Sequence, residues 1–273
     1  MTEQSAASRA YTMGYSEEFL QLLDRRNAQN SAAYLLPLLE PGMRVLDLGC
    51  GPGTISVGLA EAVNPGEVQG IDMEASQIDL AHAAAAAGGH SNISFHVGNA
   101  LDLPFDSDYF DVVHAHAVIM HIPDTEAVLS QVRRVLKPGG LFASRDLIAE
   151  SSFIEPASDG LREAWETFTN LMRGNGGHPE IGKELNGILL NAGFSDIRCS
   201  ASFDSYGTPP DLDFYYGFIV DWFFSPNVIA AVTGLGIATQ EKFDYWRGEL
   251  DAWRANPRAF GALAFGECLA ING

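Results

Sequence analysis

Short apolar runs alternate with amphipathic stretches through the first half of the chain. The runs lie at 43–48, 69–72, 93–97 and 110–116, and Gly, Pro, Asn or Asp bounds most of their ends. Their length and boundaries are typical of strands buried in a sheet. The stretches between them have helical spacing, and one of them is an alanine-rich segment that ends at Gly88 and Gly89. The alternation from 42 to about 148 predicts a parallel sheet with right-handed crossovers.

The remainder of the chain is less regular. Residues 15–40 predict one or two amphipathic helices from leucines and aromatic residues at helical spacing. Beyond 148, the pattern predicts a helix at 158–173, a helix at 181–191, a strand at 194–203, an aromatic-rich segment at 214–224 and a final strand at 260–271.

A glycine-rich turn follows the first predicted strand. Gly49, Gly51 and Gly53 lead into a helix near Thr54, and glycine permits both a sharp turn and the close approach of a ligand to the backbone. Asp72 ends the second strand, 23 residues after Gly49 (72 − 49), where an acidic residue grips ribose hydroxyls in doubly wound proteins. Dinucleotides and S-adenosylmethionine (SAM) both fit such a site. The dinucleotide fingerprint requires Gly or Ala where this chain has Thr54, so the turn favours SAM.

These residues resemble the Asp-x-Gly-x-Gly-x-Gly motif of class I SAM-dependent methyltransferases, with Asp47, Gly49, Gly51 and Gly53 in its places. Residues 42–148 resemble small-molecule methyltransferases of the ubiquinone/menaquinone-biosynthesis type. The resemblance implies an α/β fold: a doubly wound, mostly parallel, seven-stranded Rossmann-like sheet with helical cap insertions, whose last strand lies antiparallel between its neighbours. It also implies that SAM is the cofactor and S-adenosylhomocysteine the product.

The resemblance also suggests which residues hold the cofactor. An aromatic residue at the position of Tyr15 often touches the methionine end, with a plain core aromatic as the alternative. Met73 could pack on adenine, and Gln77 could reach the ribose. Asn99 stands where the family usually has Asp; its amide can accept from the adenine amine and also donate. The predicted cofactor-binding set is Tyr15, Asp47, Gly49, Gly51, Gly53, Asp72, Met73, Gln77, Asn99, Ala100, Leu101, Ala115 and His116.

The predicted organisation is a single methyltransferase domain over 1–273. Its N-terminal helices (1–41) lie over the cofactor, 42–148 form the SAM-binding core, and the insertions 149–178 and 204–258 cover the substrate. Both insertions are rich in aromatic residues. Some of these must pack a cap, and others line an apolar pocket, since small-molecule sites are mostly apolar. The candidate substrate-binding residues are Tyr216, Trp222, Phe223 and Trp165, and the expected acceptor is an apolar or aromatic small molecule methylated at O, N or C.

Methyl transfer from SAM is an in-line displacement, so alignment of the two reactants is the protein's main task. A phenol, enol or ammonium acceptor must also lose a proton to a nearby base. His121, predicted to open a helix beyond the fourth strand, is the first catalytic candidate, with a structural role as the alternative. His116 is a second candidate, though it is more simply a neighbour of the cofactor. Asp146 either faces the substrate or pairs with Arg145. No metal-ligand spacing is visible.

Charge and composition limit the partners. A formal net charge of −19 argues against nucleic acid and anionic membrane surfaces as partners. No apolar run approaches the roughly 18 residues that span a bilayer, and the first residues show no signal peptide, so membrane insertion is not expected. Three distant cysteines, Cys50, Cys199 and Cys268, are an odd number that suits a reducing compartment. We therefore expect a cytoplasmic monomer or homodimer that binds a small molecule.

Two other functions share parts of this pattern. A SAM-binding enzyme that catalyses a cyclisation or rearrangement would have the same motifs and is distinguished by product mass. A nicotinamide oxidoreductase is disfavoured by Thr54, and a comparison of SAM with NAD as stabilising ligands separates it.

Overall fold

The computed structural model describes residue 23 and residues 25–273, which form two compact units. The sheet unit comprises Leu23–Leu147, Glu180–Ser202 and Phe265–Gly273. The helical unit, within the described residues, comprises Ile148–Pro179 and Phe203–Ala264. The segments of the helical unit begin and end within a few residues of the predicted insertions, except that the second extends to residue 264.

The described residues form eight strands: β1 Arg44–Leu48, β2 Glu67–Asp72, β3 Ile93–Val97, β4 Phe110–His116, β5 Leu136–Leu147, β6 Phe153–Glu155, β7 Phe194–Tyr206 and β8 Phe260–Asn272. The α-helices described are α1 Ala28–Ser31, α2 Thr54–Val63, α3 Ala75–Gly88, α4 Thr125–Val135, α5 Asp159–Gly174, α6 Ile181–Asn191, α7 Pro209–Phe223, α8 Pro226–Gly234 and α9 Gln240–Arg254. Short 3₁₀ turns lie at Leu36–Leu38, Ile119–His121 and Ala149–Ser151.

The strand order is β3-β2-β1-β4-β5-β8-β6, with β7 also paired to β8. The pairs β1–β2, β1–β4, β2–β3 and β4–β5 are parallel. β8 runs antiparallel to β5 and β6. The predicted α/β fold and the antiparallel last strand are therefore confirmed.

The sheet has eight strands where seven were predicted. The extra strand, β6, is three residues long and pairs with residues 260–262 of β8, whereas β5 pairs with residues 265–271. The two registers follow one another along β8 without overlap. The difference in count therefore arises because a 3₁₀ turn at Ala149–Ser151 separates the pairing of β5 from that of β6.

Helix α2 carries the glycine-rich turn and packs on the sheet. Its N-cap is Gly53, in the left-handed conformation (φ 77°). The buried residues Ile55 and Leu59 of α2 belong to one apolar cluster with Val45 and Val68 of the strands. Burying such a side chain is worth about 1.5–3 kcal/mol, so the end of β1 and the start of α2 are held rigidly beside each other.

Within the described part of 15–40, the predicted N-terminal helices are only partly found. Among the described residues of 15–40, the helical elements longer than a single residue are the four-residue α1 and the 3₁₀ turn at Leu36–Leu38. Pro37 at the start of this turn lacks an N–H and disfavours the α-conformation for the residue before it, so the leucines at 35–39 do not extend an α-helix. Tyr15 lies outside the described residues.

Aromatic side chains form the core of the helical unit. Phe168 packs edge-on against Trp222 at a centroid distance of 5.2 Å. The ring centroid of Phe243 lies 5.5 Å from that of Phe223 and 5.1 Å from that of Trp246. Among the described helices, none alone is long and apolar enough to cross a membrane, although α7 and α8 together, bent by 52°, have the required length and composition.

Candidate functional site

The glycine-rich turn contains two closely packed glycines and one open glycine. Gly49, Gly51 and Gly53 have φ values of 67°, 52° and 77°, a region in which glycine is favoured. A Cβ at Gly49 would lie 2.4 Å from a methyl of Val118, and one at Gly53 would lie 2.9 Å from the side chain of Ala81. A Cβ at Gly51 would meet no atom closer than 3.8 Å. The turn therefore has free space at Gly51 alone.

Asp72, at the end of β2, ties that strand to the turn. Its Oδ2 accepts a hydrogen bond from the Gly51 N–H at 3.0 Å, and its Oδ1 accepts one from the Glu74 N–H at 3.0 Å. Burial raises the pKa of this carboxyl above its usual value, and the two N–H groups oppose that shift. Each carboxylate oxygen has a further lone pair for a hydroxyl donor.

Gln77 of α3 is buried beside the same space. The residue is 1% exposed, and its Oε1 has no hydrogen-bond partner in the part of the chain that the structure describes. This oxygen lies 4.0 Å from the position of a Cβ at Gly51. An unpaired buried oxygen, an adjacent carboxylate and the space at Gly51 together fit a ribose-bearing ligand. Gln77, Asp72 and the turn would hold the nucleoside of SAM.

The predicted adenine contacts are more exposed. Met73 is 70% exposed directly after Asp72. The Oδ1 of Asn99 accepts a hydrogen bond from the Leu101 N–H at 2.9 Å. This turn uses the oxygen of the Asn99 amide and does not use its NH₂ group. Ala100 is half-buried and Leu101 exposed.

Asp47 lies inside the sheet. It is 2% exposed, its Oδ1 is 2.8 Å from Nδ1 of His114, and its Oδ2 accepts a 2.5 Å hydrogen bond from Ser56 Oγ. Both oxygens thus join β1 to β4 and α2, which favours a positioning role over direct contact with a ligand. Ser56 and His114 were not identified from the sequence, because neither belongs to the glycine motif.

Ala115 was predicted to contact the cofactor, and its environment argues against this. It pairs with Leu48 on one side and is level with Ser144 of β5 on the other. Its relative exposure is 0%, so its side chain presents no surface to a ligand.

Asp146 holds the loop that follows β4. Its Oδ1 accepts a hydrogen bond from the Met120 N–H at 3.1 Å, and its Oδ2 accepts one from Ser144 Oγ at 2.8 Å. Burial raises the pKa of Asp146 to about 6. The predicted Arg145–Asp146 ion pair is wrong, since Arg145 Nε lies 3.3 Å from Glu267 Oε1. Adjacent residues of a strand point to opposite faces, so Arg145 meets β8 instead.

The two candidate histidines are both buried. His121 ends a 3₁₀ turn and does not open an α-helix, and burial lowers its pKa to about 3. His116 ends β4, and burial together with the charges of Arg26 and Arg145 holds its pKa well below the usual value. Both rings are therefore neutral at pH 7 and are weak proton acceptors.

The candidate substrate residues belong to the helical unit. Trp222 and Phe223 are buried in its aromatic core. Trp165 donates from Nε1 to the Ala149 carbonyl at 2.9 Å. The hydroxyl of Tyr216 donates to Asp251 at 2.6 Å. These contacts account for the four side chains by packing and hydrogen bonding within the unit.

A surface cavity of about 630 Å³ lies elsewhere in the helical unit. It is lined by Glu163, Thr167, Thr233, Gly236, Ile237, Ala238, Thr239, Gln240, Glu241, Lys242 and Trp246. None of the four predicted substrate residues lines it. Across the residues that the structure describes, no group of three or more His, Cys, Asp or Glu side chains could hold a metal ion.

Two of the three cysteines are joined. Cys199 of β7 and Cys268 of β8 form a disulfide, and Cys50 is buried and free. The odd cysteine count was interpreted as a sign of a reducing compartment. That interpretation loses its basis, because strand pairing brings together two residues that are 69 positions apart in the sequence.

Known proteins are similar to this chain in sequence and in fold. A family model described as a methyltransferase domain matches residues 39–192. The probable methyltransferase ltbC of Aspergillus luteorubrus is 36% identical over 164 residues, which cover 57% of this chain and 57% of that protein. The demethylmenaquinone methyltransferase of Bacillus subtilis is 34% identical over 128 residues, which cover 46% of this chain and 52% of that enzyme. The matches thus span little more than half the length of these relatives.

A solved structure extends the likeness in fold. Phosphoethanolamine N-methyltransferase 2 of Haemonchus contortus, in complex with phosphomonomethylethanolamine and S-adenosylhomocysteine, superimposes with a TM-score of 0.58 at 19% identity. The alignment covers 89% of this chain and 52% of that one. At this identity the likeness concerns the fold. The family model, which matches more than half of the chain, and the glycine motif agree with it, and the chain belongs to the methyltransferase domain family.

Proposed function

We propose that this protein transfers the methyl group of SAM to a neutral, largely apolar or aromatic small molecule, at oxygen, nitrogen or carbon. The observation that carries the proposal is the space at Gly51, bordered by the Asp72 carboxylate and the unpaired Oε1 of Gln77. The name of one relative, the demethylmenaquinone methyltransferase of Bacillus subtilis, agrees with a small-molecule acceptor.

The chain's own residues position the reactants. When bound, SAM supplies an electrophilic methyl group. Asp72 and Gln77 would bind the ribose, and the Asp47–His114–Ser56 contacts fix the end of β1 next to them. Holding two reactants in line can supply about 7–11 kcal/mol of a barrier, so alignment is the main contribution of this site.

Proton removal has a smaller part in this proposal. His121 and His116 are neutral with lowered pKa values, and Asp146 already accepts hydrogen bonds from within the sheet unit. The three residues that the sequence offered as bases are therefore better suited to holding structure or binding an uncharged group. A neutral acceptor that loses its proton to water after transfer fits this arrangement.

Two measurements test the proposal. Thermal unfolding is compared in the presence of SAM, S-adenosylhomocysteine and NAD, since a true ligand stabilises by mass action. Mass spectrometry of products from a panel of apolar and charged acceptors then shows whether a methyl group is added and S-adenosylhomocysteine released. Stabilisation by NAD alone contradicts the cofactor assignment. A rearranged product of unchanged mass indicates a cyclase, and efficient methylation of charged acceptors alone refutes the proposed substrate class.

The predicted cytoplasmic location also stays a prediction. The Cys199–Cys268 disulfide weakens it, because disulfides are rare in proteins of that compartment. Whether the protein is a monomer or a homodimer is likewise a prediction, which light scattering of the purified protein would test.

A further inference from the structure

His116, the last residue of β4, is a buried imidazole with two unused nitrogens. The residue is 6% exposed, and within the described part of the chain neither Nδ1 nor Nε2 has a hydrogen-bond partner. A buried polar group without a partner is unfavourable, because it has lost its hydrogen bonds to water. A ligand that provides a partner for either nitrogen would offset part of that loss on binding.

The ring of His116 is held in place by packing. It lies against Phe265 with the ring centroids 5.6 Å apart and an interplanar angle of 33°. The guanidinium carbon of Arg145 lies 3.9 Å from the centroid of the same Phe265 ring. Arg145 is fixed in turn by Glu267 at 3.3 Å and by Ser202 at 3.1 Å. The imidazole is therefore positioned by the protein before any ligand arrives.

His116 lies at the ligand-binding edge of the sheet. Ala115 pairs with Leu48 of β1, so His116 is level with Gly49, the first residue of the glycine-rich turn. Val118, two residues further on, is in contact range of Gly49. Ligands of parallel sheets bind outside the carboxyl ends of the strands, and β4 is the neighbour of β1 on the side away from Asp72.

A neutral imidazole restricts what it can bind. It offers one N–H donor and one bare nitrogen, and it carries no charge. A hydroxyl group can both donate and accept, so it pairs with either nitrogen in either tautomer. A carbonyl pairs with the N–H. The charge of Arg145 is already paired with Glu267, and the uncharged ring provides no ion pair for an anionic acceptor.

We infer that His116 binds the methyl acceptor directly, through a hydrogen bond to a neutral hydroxyl or carbonyl oxygen. This inference rests on the proposed function and narrows the acceptor to an apolar or aromatic molecule that carries such an oxygen. His116 then orients the acceptor by a directional contact and does not act as its base.

The test uses two probes of matched shape, 2-naphthol and 2-methylnaphthalene, which differ by a hydroxyl against a methyl group. Each is titrated into the S-adenosylhomocysteine complex of the wild type, His116→Phe, His116→Asn and the control His90→Phe. His90 lies beyond α3, next to Glu61, and is not part of the site. We expect the wild type and His90→Phe to bind 2-naphthol about tenfold more tightly than 2-methylnaphthalene, in line with one buried hydrogen bond.

His116→Phe should reduce this preference to less than threefold, while His116→Asn, which keeps a donor and an acceptor, should retain part of it. The affinity for S-adenosylhomocysteine should stay within threefold of wild type in both variants, which also shows that they fold. A tenfold loss of that affinity with the naphthol preference intact would assign His116 to the cofactor. No preference in the wild type, or one that survives His116→Phe, overturns the inference. Failure of the wild type to bind S-adenosylhomocysteine would instead refute the proposed function.

Discussion

Replacing Gly51 by alanine tests the cofactor site with a single methyl group. The nearest atoms to a Cβ at this position are Leu23 Cδ1 at 3.8 Å and Gln77 Oε1 at 4.0 Å, so the methyl fits the protein without a clash. The substitution still destabilises the protein, because the backbone at this position is left-handed (φ 52°). That conformation costs alanine about 1–2 kcal/mol. The methyl would fill the space that we propose for the nucleoside. We expect SAM affinity to fall at least tenfold, about 1.4 kcal/mol.

Gly89 provides a matched control. It follows α3 with φ 69°, and no atom lies within 4 Å of a Cβ placed there. Gly89→Ala therefore has the same kind of backbone cost as Gly51→Ala but lies outside the cofactor site. SAM affinity is measured by calorimetric titration, and the free energy of unfolding by urea denaturation. Both variants should lose similar stability, and only Gly51→Ala should lose SAM affinity.

Two results would refute this reasoning. Wild-type SAM affinity in Gly51→Ala would mean that the ligand does not lie against this glycine. An equal loss of affinity in Gly89→Ala would mean that the effect comes from lower stability. Gly53→Ala provides a further contrast, because its Cβ would lie 2.9 Å from both Ala81 and Phe95. That variant should lose more stability than the backbone cost alone.

Three further variants test the electrostatics and the cross-link. Burial raises the pKa of Asp72, so wild-type SAM affinity, measured by calorimetry, should fall as the pH drops through that raised value; Asp72→Asn should bind more weakly and show no such pH dependence. Asp146 has a folded pKa of about 6 against a usual 3.8, so its contribution to stability is present below pH 3.8 and is lost as the pH rises through 6. In urea denaturation, the stability of Asp146→Asn relative to wild type should therefore be up to ~3 kcal/mol greater at pH 8 than at pH 4. Reduction of the Cys199–Cys268 disulfide, which closes a 69-residue separation, should lower the free energy of unfolding by roughly 4 kcal/mol, and the double Cys→Ser variant should not respond to reductant.

The sequence predicted the ends of helices well where local residues set them. The helix expected at 181–191 is α6, Ile181–Asn191. The alanine-rich helix expected to run through Ala87 is α3, which ends one residue later at Gly88. Gly89, in the left-handed conformation, donates its N–H to the carbonyls of Ala85 and Ala86. In both cases the residues that set the boundary lie within or beside the helix.

Contacts between distant residues were not predictable in the same way. Arg145 and Asp146 are neighbours in sequence, yet Arg145 pairs with Glu267, which is 122 residues away (267 − 145). Cys199 and Cys268 meet because β7 pairs with β8. The register of two strands decides which residues become partners. A single sequence predicts where strands form but not how they are aligned with each other.

Asp47 and Asp72 show why register matters for the candidate site. Both are acidic residues near the end of a strand and both were assigned to the cofactor. Asp47 is paired between Gly70 of β2 and His114 of β4, so it lies inside the sheet and meets His114. Asp72 is one residue beyond the last β1–β2 pair, Leu48 with Ile71, so its carboxylate reaches the Gly51 N–H. A displacement of two positions in register thus separates an acid that holds the strands together from one that is available to a ribose.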